Sequence, residues 1–361
     1  MNFIASRGTL DSHAVNKRLL VALLEELAAC EGDMTATLAH FCHADCRFEL
    51  FHPFNTIDGV EAAAALFWHP LRAAFPDWEH RAGIVIGGDY EGREQVSSLG
   101  HVQATFDAPW LGIPPTFGMV QLRFGVNALV REGRIAKLYL MLDIVDLMRQ
   151  AGVYPFRAMP GSAEGWPMPP VDTGATAMSS EPVTGAASMA IVREMQSGLP
   201  HPDDIPTLAS EPSRHSVRWH RNMNWYGPAG IGSMRGLRGF RNFHGALFLQ
   251  AFPDRTGRPR EPNGPEDGPG HYTQLGDGRF AVTGGWPSLV ATHLGGEWLG
   301  LPPSGRRIEM RVADWYRLDA DDLIIDNWVM MDVPHIVHQM GLDIFHDLKF
   351  RVDPARERWP L

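Results

Sequence analysis

Two aspartates close strand-like runs at matching places in the chain, Asp143 in LYLMLDIV and Asp332 in NWVMMDVP. Side chains alternate along a strand, so Tyr139, Met141 and Asp143 share one face, and Trp328, Met330 and Asp332 share the corresponding face of the other run. A carboxylate held beside methionine and an aromatic ring loses hydration. That disfavours its charged form and raises its pKa toward the range where one group can both take and return a proton. The same two residues also sit where a helix cap belongs. Asp143-Ile-Val-Asp146 has capping-box spacing with Asp in the last place, and Asp332-Val-Pro334 puts proline in a first helical turn. Proton carrier and cap both stand open at this level, and one side chain can fill both roles.

Other polar groups sit near these runs. His52 ends FELFHPF, opposite Gly227 in the later run. His101 alternates with Gln103 and Thr105 in SLGHVQATF, where the second run carries Ser288, and His244 lies in the helical segment RNFHGALF. Arg123 and Arg311 hold equivalent strand positions, suited to pairing with a carboxylate; Arg311 has Asp314 and Asp326 within its own run. With the two aspartates as acid/base groups, the expected substrate contacts are His52, His101, Tyr139, Met141, His244, Arg311, Trp328 and Met330. Cys42-His43-Ala44-Asp45-Cys46 is one compact cluster without a second ligand pair, so it is expected to be a turn rather than a metal site. His335 and His338 lack an HExxH frame and are expected on the surface. No metal and no cofactor is expected.

These residues recur because the chain repeats itself. WLGIPPTFGMVQLRF from Trp110 returns as WLGLPPSGRRIEMRV from Trp298, and the copies run in step through Asp143 and Asp332, Gln150 and Gln339, and Gly152 and Gly341. AAFPDW echoes QAFPDR, and Gly59 falls opposite Gly236. Residues 157–187, rich in Pro, Gly, Ser and Thr, read as a linker between domains 1–156 and 188–361. A second such tract from Pro253 reads as an enlarged loop. In each copy helical patterns come first, LDSHAVNKRLLVALLEELAAC and DGVEAAAALFWHPLRAAF in the first, and strand-like segments follow. That order predicts α+β rather than alternating βαβ units, and no glycine-rich phosphate loop follows a strand.

Over 361 residues the chain is 44% hydrophobic and 20% charged, and acidic residues exceed basic ones by 42 to 32, a net charge of −10. The acidic balance argues against nucleic acid, and no apolar run is long enough for a membrane span. Three cysteines and no apolar leader point to a reducing cytoplasm.

The stretch from the WLG-PP turn to the Asp-x-x-x-Leu-x-x-Gln-x-Gly ending resembles the SnoaL-like polyketide cyclases of the nuclear-transport-factor-like, ketosteroid-isomerase-like superfamily. The matching residues are Gly112, Pro114, Pro115, Arg123, Asp143, Leu147, Gln150 and Gly152, and then Gly300, Pro302, Pro303, Gly305, Arg311, Asp332, Gln339 and Gly341. The resemblance implies two cone-shaped α+β barrel domains, each with N-terminal helices packed on a curved, mainly antiparallel sheet. It also implies cofactor-independent acid/base catalysis, an aldol-type cyclisation or isomerisation of a hydrophobic polyketide-like molecule, with Asp143 and Asp332 as the proton carriers. The chain is then a monomer with an internal pseudo-dimer, or a homodimer. An epoxide hydrolase or dehydratase on the same shell is the alternative, as is a small-molecule binding protein without catalysis; for a hydrolase, Arg311 with Asp332 and Asp314 supplies part of the required set.

Overall fold

The computed structural model describes residues 6–170, 179–198, 216–256 and 270–350. The first half runs α1 (Ser6–Ala29), α2 (Met34–Phe41), β1 (Cys42–Leu50) and β2 (Thr56–Asp58). A helix interrupted by a π-helical turn follows: α3 (Val60–Ala63), the turn Ala64–Trp68, and α4 (His69–Ala74). Then come β3 (Glu79–Tyr90), β4 (Arg93–Thr105), β5 (Met119–Arg131), β6 (Arg134–Leu142) and α5 (Ile144–Gln150). The second half repeats the plan: α6 (Pro182–Ser197), β7 (Trp219–Tyr226), β8 (Met234–Arg235), α7 (Gly236–Phe240), a π-helical turn Arg241–Gly245 and α8 (Ala246–Ala251). It continues with β9 (Thr273–Asp277), β10 (Phe280–Thr292), β11 (Arg307–Leu318), β12 (Ile324–Met331) and α9 (Val333–Met340).

Each half holds one six-stranded sheet, ordered β2-β1-β6-β5-β4-β3 and β8-β7-β12-β11-β10-β9. Among the described residues only the β1–β6 and β7–β12 pairings are parallel. Identical order with identical sense is the α+β, two-domain architecture expected from the repeat. Three local expectations need correction. Cys42–Cys46 opens strand β1 instead of forming a turn, with both cysteines fully buried. Helix α6 starts at Pro182, inside the tract read as linker, because proline in a first turn gives up an N–H that has no helical partner anyway. Residues 157–170 are a docked strap rather than a free tether, held by a two-way backbone bridge between Ser162 and Ser233 and by the Trp166 indole donating to Tyr226 O at 3.1 Å. Most of the enlarged loop from Pro253 lies outside the described residues.

The sheets are apolar on both sides, and the two sides meet different neighbours. In the first half Leu122, Phe124, Leu140 and Leu142 face the helices, sharing a small chamber with Leu24, Trp68 and Leu71. The opposite face meets the sheet of the second half. Ile84, Ile86, Leu99 and Met141 pack there with Leu275, Val282, Trp315, Trp328 and Met330 in one cluster. Tyr139 stacks on Tyr272 with ring centres 3.8 Å apart, and the Trp315 indole donates to Ser97 Oγ at 2.8 Å. The alternation read from the sequence is therefore right, but its direction is reversed: Tyr139, Met141, Trp328 and Met330 face the seam between the halves, not the hollow of a cone. At one edge of the seam the fully buried Lys17 of α1 ion-pairs with Asp277 of β9.

Gly125 shows how tightly the seam closes. A Cβ built there meets the Trp315 ring at 2.5 Å and Met330 at 3.0 Å. Gly125→Ala is expected to destabilise the protein by about 1–3 kcal/mol through overpacking, seen as a lower urea midpoint with an unchanged m-value. An unchanged midpoint would mean the sheets can slide apart at little cost.

Candidate functional site

Asp143 and Asp332 follow the last strand of their halves and cap the helices behind them. Asp143 Oδ1 accepts the Asp146 amide at 3.1 Å, and Asp332 Oδ1 accepts the His335 amide at 3.1 Å. Each second oxygen takes a guanidinium from its own half, Arg123 at 3.1 Å and Arg311 at 3.0 Å. That oxygen also takes a backbone N–H from the opposite half, Ala229 to Asp143 at 2.9 Å and His52 to Asp332 at 3.0 Å. The donors are equivalent by register. Phe48 pairs with Ile57 and Leu138, and Trp225 pairs with Met234 and Asn327, which sets His52 against Ala229 rather than Gly227. Burial pushes both carboxyls above the ordinary aspartate range, and the guanidinium beside each pulls it back.

The surroundings of the two aspartates differ. Around Asp143 the guanidinium of Arg123 lies over the Trp166 ring at 5.3 Å and also donates to Ala163 O at 2.7 Å. Asp146 adds a second carboxylate, which Arg149 and Gln150 engage. His101 stands edge-on to Trp166 at 5.4 Å, its pKa drawn down to about 4 by burial and by Arg123. Around Asp332 the neighbouring side chains are mostly imidazoles. His52 stacks on His338 at 4.5 Å and lies 6.2 Å from His335, while Arg311 sits over Trp286 at 5.0 Å and reaches Asn55. Burial lowers His52 to about 4 and His335 to about 3. His335 is thus half-buried at the seam rather than on the surface, whereas His338 is exposed, as expected.

The fold accordingly gathers the predicted residues in an unanticipated place. Asp143 with His101, and Asp332 with Arg311 and His52, form two clusters at the seam, with Tyr139, Met141, Trp328 and Met330 packed between them. His244 stands apart. It stacks on Trp225 at 4.3 Å and lines a cavity of about 380 Å³. The other walls are Ile231, Phe243, Leu247 and the Trp298–Gly300 turn, with Arg157 and Ala158 of the strap closing one side and Glu297 at the rim. The chamber of the first half is far smaller, about 30 Å³, and its single imidazole, His80, is held near pKa 4 by burial. Neither aspartate lines either space. Sequence reasoning missed His80, Trp166 and the Ala229 amide; an isolated tryptophan in a Pro/Gly tract was the one available signal. Among the described residues no group of three or more His, Cys, Asp or Glu side chains is placed to hold a metal ion, and no helix is long and apolar enough to cross a membrane.

Two outcomes follow. Asp332→Asn leaves the half-buried Arg311 without its anion, so it is expected to cost about 3 kcal/mol in urea unfolding, whereas a role limited to capping would cost about 1 kcal/mol. His52 and His335 have folded pKa values below the ordinary 6.5. The fold therefore holds them neutral, and their contribution is complete above about pH 6.5 and lost as the pH falls toward 4. Between pH 7 and 5 the urea midpoint should fall further for the natural protein than for His52→Phe; parallel curves would clear the imidazoles of that effect.

No protein-family model and no curated protein matches the chain. Solved structures do match. One is a candidate SnoaL-like polyketide cyclase from Jannaschia sp. CCS1, 21% identical over 38% of this chain and 90% of that one, with a TM-score of 0.31. Another is IdmH, a candidate polyketide cyclase from Streptomyces antibioticus, 21% identical over 38% of this chain and 99% of its own, also with a TM-score of 0.31. AclR from Streptomyces galilaeus, a candidate hydroxylase, is 19% identical over 40% of this chain and 88% of its own, again with a TM-score of 0.31. Several of the chains similar to this one are thus named as polyketide cyclases, some of them as SnoaL-like, each matching a length close to one copy of the repeat.

Proposed function

We propose that the chain takes up a hydrophobic, oxygen-bearing ring compound in the cavity of the second half and performs acid/base chemistry on it with its own side chains, of aldol or isomerisation type. The observation that carries this reading is a space of about 380 Å³ walled by Ile231, Phe243, Leu247 and Trp298, with one imidazole, His244, in that wall. Ligand pockets combine that size with mostly apolar walls and few polar groups. His244 is the proton carrier in this reading. The imidazole takes a proton from a carbon beside a carbonyl, the freed electron pair closes onto a second carbonyl carbon, and the new alkoxide oxygen receives the proton back. For an isomerisation the proton returns to a different carbon. Asp143 and Asp332 then serve as caps and as joints between the halves, since every oxygen already accepts at least one hydrogen bond.

A second reading keeps Asp332 as the proton carrier, and its support is the upward pull of burial on that carboxyl. It requires Arg311 and the His52 amide to release the oxygen first.

One experiment separates the two. A panel of oxygenated naphthalene β-keto esters is screened by thermal shift, and deuterium exchange at the carbon between the carbonyls of any binder is followed by NMR in D₂O. His244→Gln is expected to slow exchange by about 100-fold or more while binding persists. Loss of exchange in Asp332→Asn with His244→Gln fully active would move the chemistry to the seam.

A further inference from the structure

The two halves share one plan, yet the segment that plugs the first leaves the second open. Residues 49–58 and 226–235 connect equivalent strand positions without a gap, because Arg47 pairs with Asp58 as Asn224 pairs with Arg235. Phe51, Phe54 and Phe67 of the first half therefore correspond to Pro228, Ile231 and His244 of the second. Phe67 and His244 take the same place in matching π-helical turns. Trp110 and Trp298 open the same bridged turn.

In the first half the four rings fill the space. Phe54 lies edge-on to Phe67 at 5.0 Å and stacks on Trp110 at 6.1 Å, and Phe51 meets Phe67 at 6.1 Å and Trp110 at 6.2 Å. Phe51, Phe67 and Trp110 are 1%, 0% and 4% exposed. In the second half two of those rings are replaced by Pro228 and Ile231 and a third by an imidazole, and the cavity opens between Ile231, His244 and Trp298. A void of that size lined by apolar atoms forfeits the contacts that the rings make in the first half. A ligand that restores them binds with that gain.

We infer that each chain binds a single ligand molecule, in the second half only, and that positions 231 and 244 decide this by the volume they leave unfilled. This rests on the ligand reading above and extends it to stoichiometry and specificity. The ligand is a planar ring compound whose apolar body lies between Ile231, His244 and Trp298, with its polar substituents toward the rim at Arg157 and Glu297. The first half serves as a closed scaffold, and the strap that follows it completes the second.

The probe is 1-anilinonaphthalene-8-sulfonate, a ring compound with one anionic group, titrated into the full chain by calorimetry and fluorescence. The natural protein is expected to bind one equivalent. Ile231→Phe with His244→Phe, which rebuilds the first half's plug, is expected to weaken binding at least tenfold without lowering the melting temperature. Phe54→Ile with Phe67→His is expected to add a second equivalent; if that variant fails to fold, the first two measurements decide. Two equivalents in the natural protein, or unaltered binding after the plug is rebuilt, would overturn the inference while leaving the ligand reading in place. No binding of the probe or of any compound in the ring panel would bring down the ligand reading and this inference with it.

Discussion

The structure depends on an exchange of backbone N–H groups between its halves. Asp143 accepts one from Ala229 and Asp332 accepts one from His52, each alongside an arginine of its own half. A carboxylate this deeply buried is tolerable only when its lone pairs are engaged and its charge is balanced. The opposite half thus supplies part of what makes each charge acceptable. Both carboxylates also cap a helix, so the same contact that joins the halves fixes the start of α5 and α9. The sheets can then press together through Tyr139, Met141, Trp315 and Trp328, because their spacing is set at two points by short polar contacts that do not stretch.

How much of this was legible varied by level. The repeat was visible in the residues and carried the two-domain α+β architecture, with two sheets of the same order among the described residues. The helices-first order held only in part, since β1–β2 and β7–β8 precede α3 and α7. Strand alternation was visible too, but not which face turns where. Leu138, Leu140 and Leu142 on one side and Tyr139 and Met141 on the other are both apolar sets, since one side of the sheet meets helices and the other meets a second sheet. Hydropathy does not separate those two coverings. Arg123 and Asp143 on the mixed face were the available hint, because an ion pair of this kind suits a seam better than a hollow. The amides of Ala229 and His52 left no trace at all, as any residue but proline supplies an N–H. The one-residue identity of the donor, alanine, shows how little side-chain chemistry that contact asks for.

The strap owes its order to the surface it lies on. Residues 157–170 have linker composition, yet they bond to Ile231 and Ser233 just before β8 and carry Trp166 onto the Arg123 guanidinium. Their ordering comes from the partner surface rather than from local propensity, so composition alone suggested a tether. The cavity beside His244 owes one wall to this segment. It is accordingly a composite space, shaped by residues on either side of the repeat boundary, and neither copy considered alone contains it.

Joining the copies in one polypeptide has a consequence for how such a molecule can change. Where a symmetric dimer is made from one gene, every replacement appears twice, and a substitution useful on one side must be tolerated on the other. Here phenylalanine stands at 67 and histidine at 244, aspartate at 146 and histidine at 335, each in the same structural place. Covalent linkage releases the two positions from that obligation, so one copy is free to keep the ring packing that secures the fold while its twin gives up the same rings for an open space.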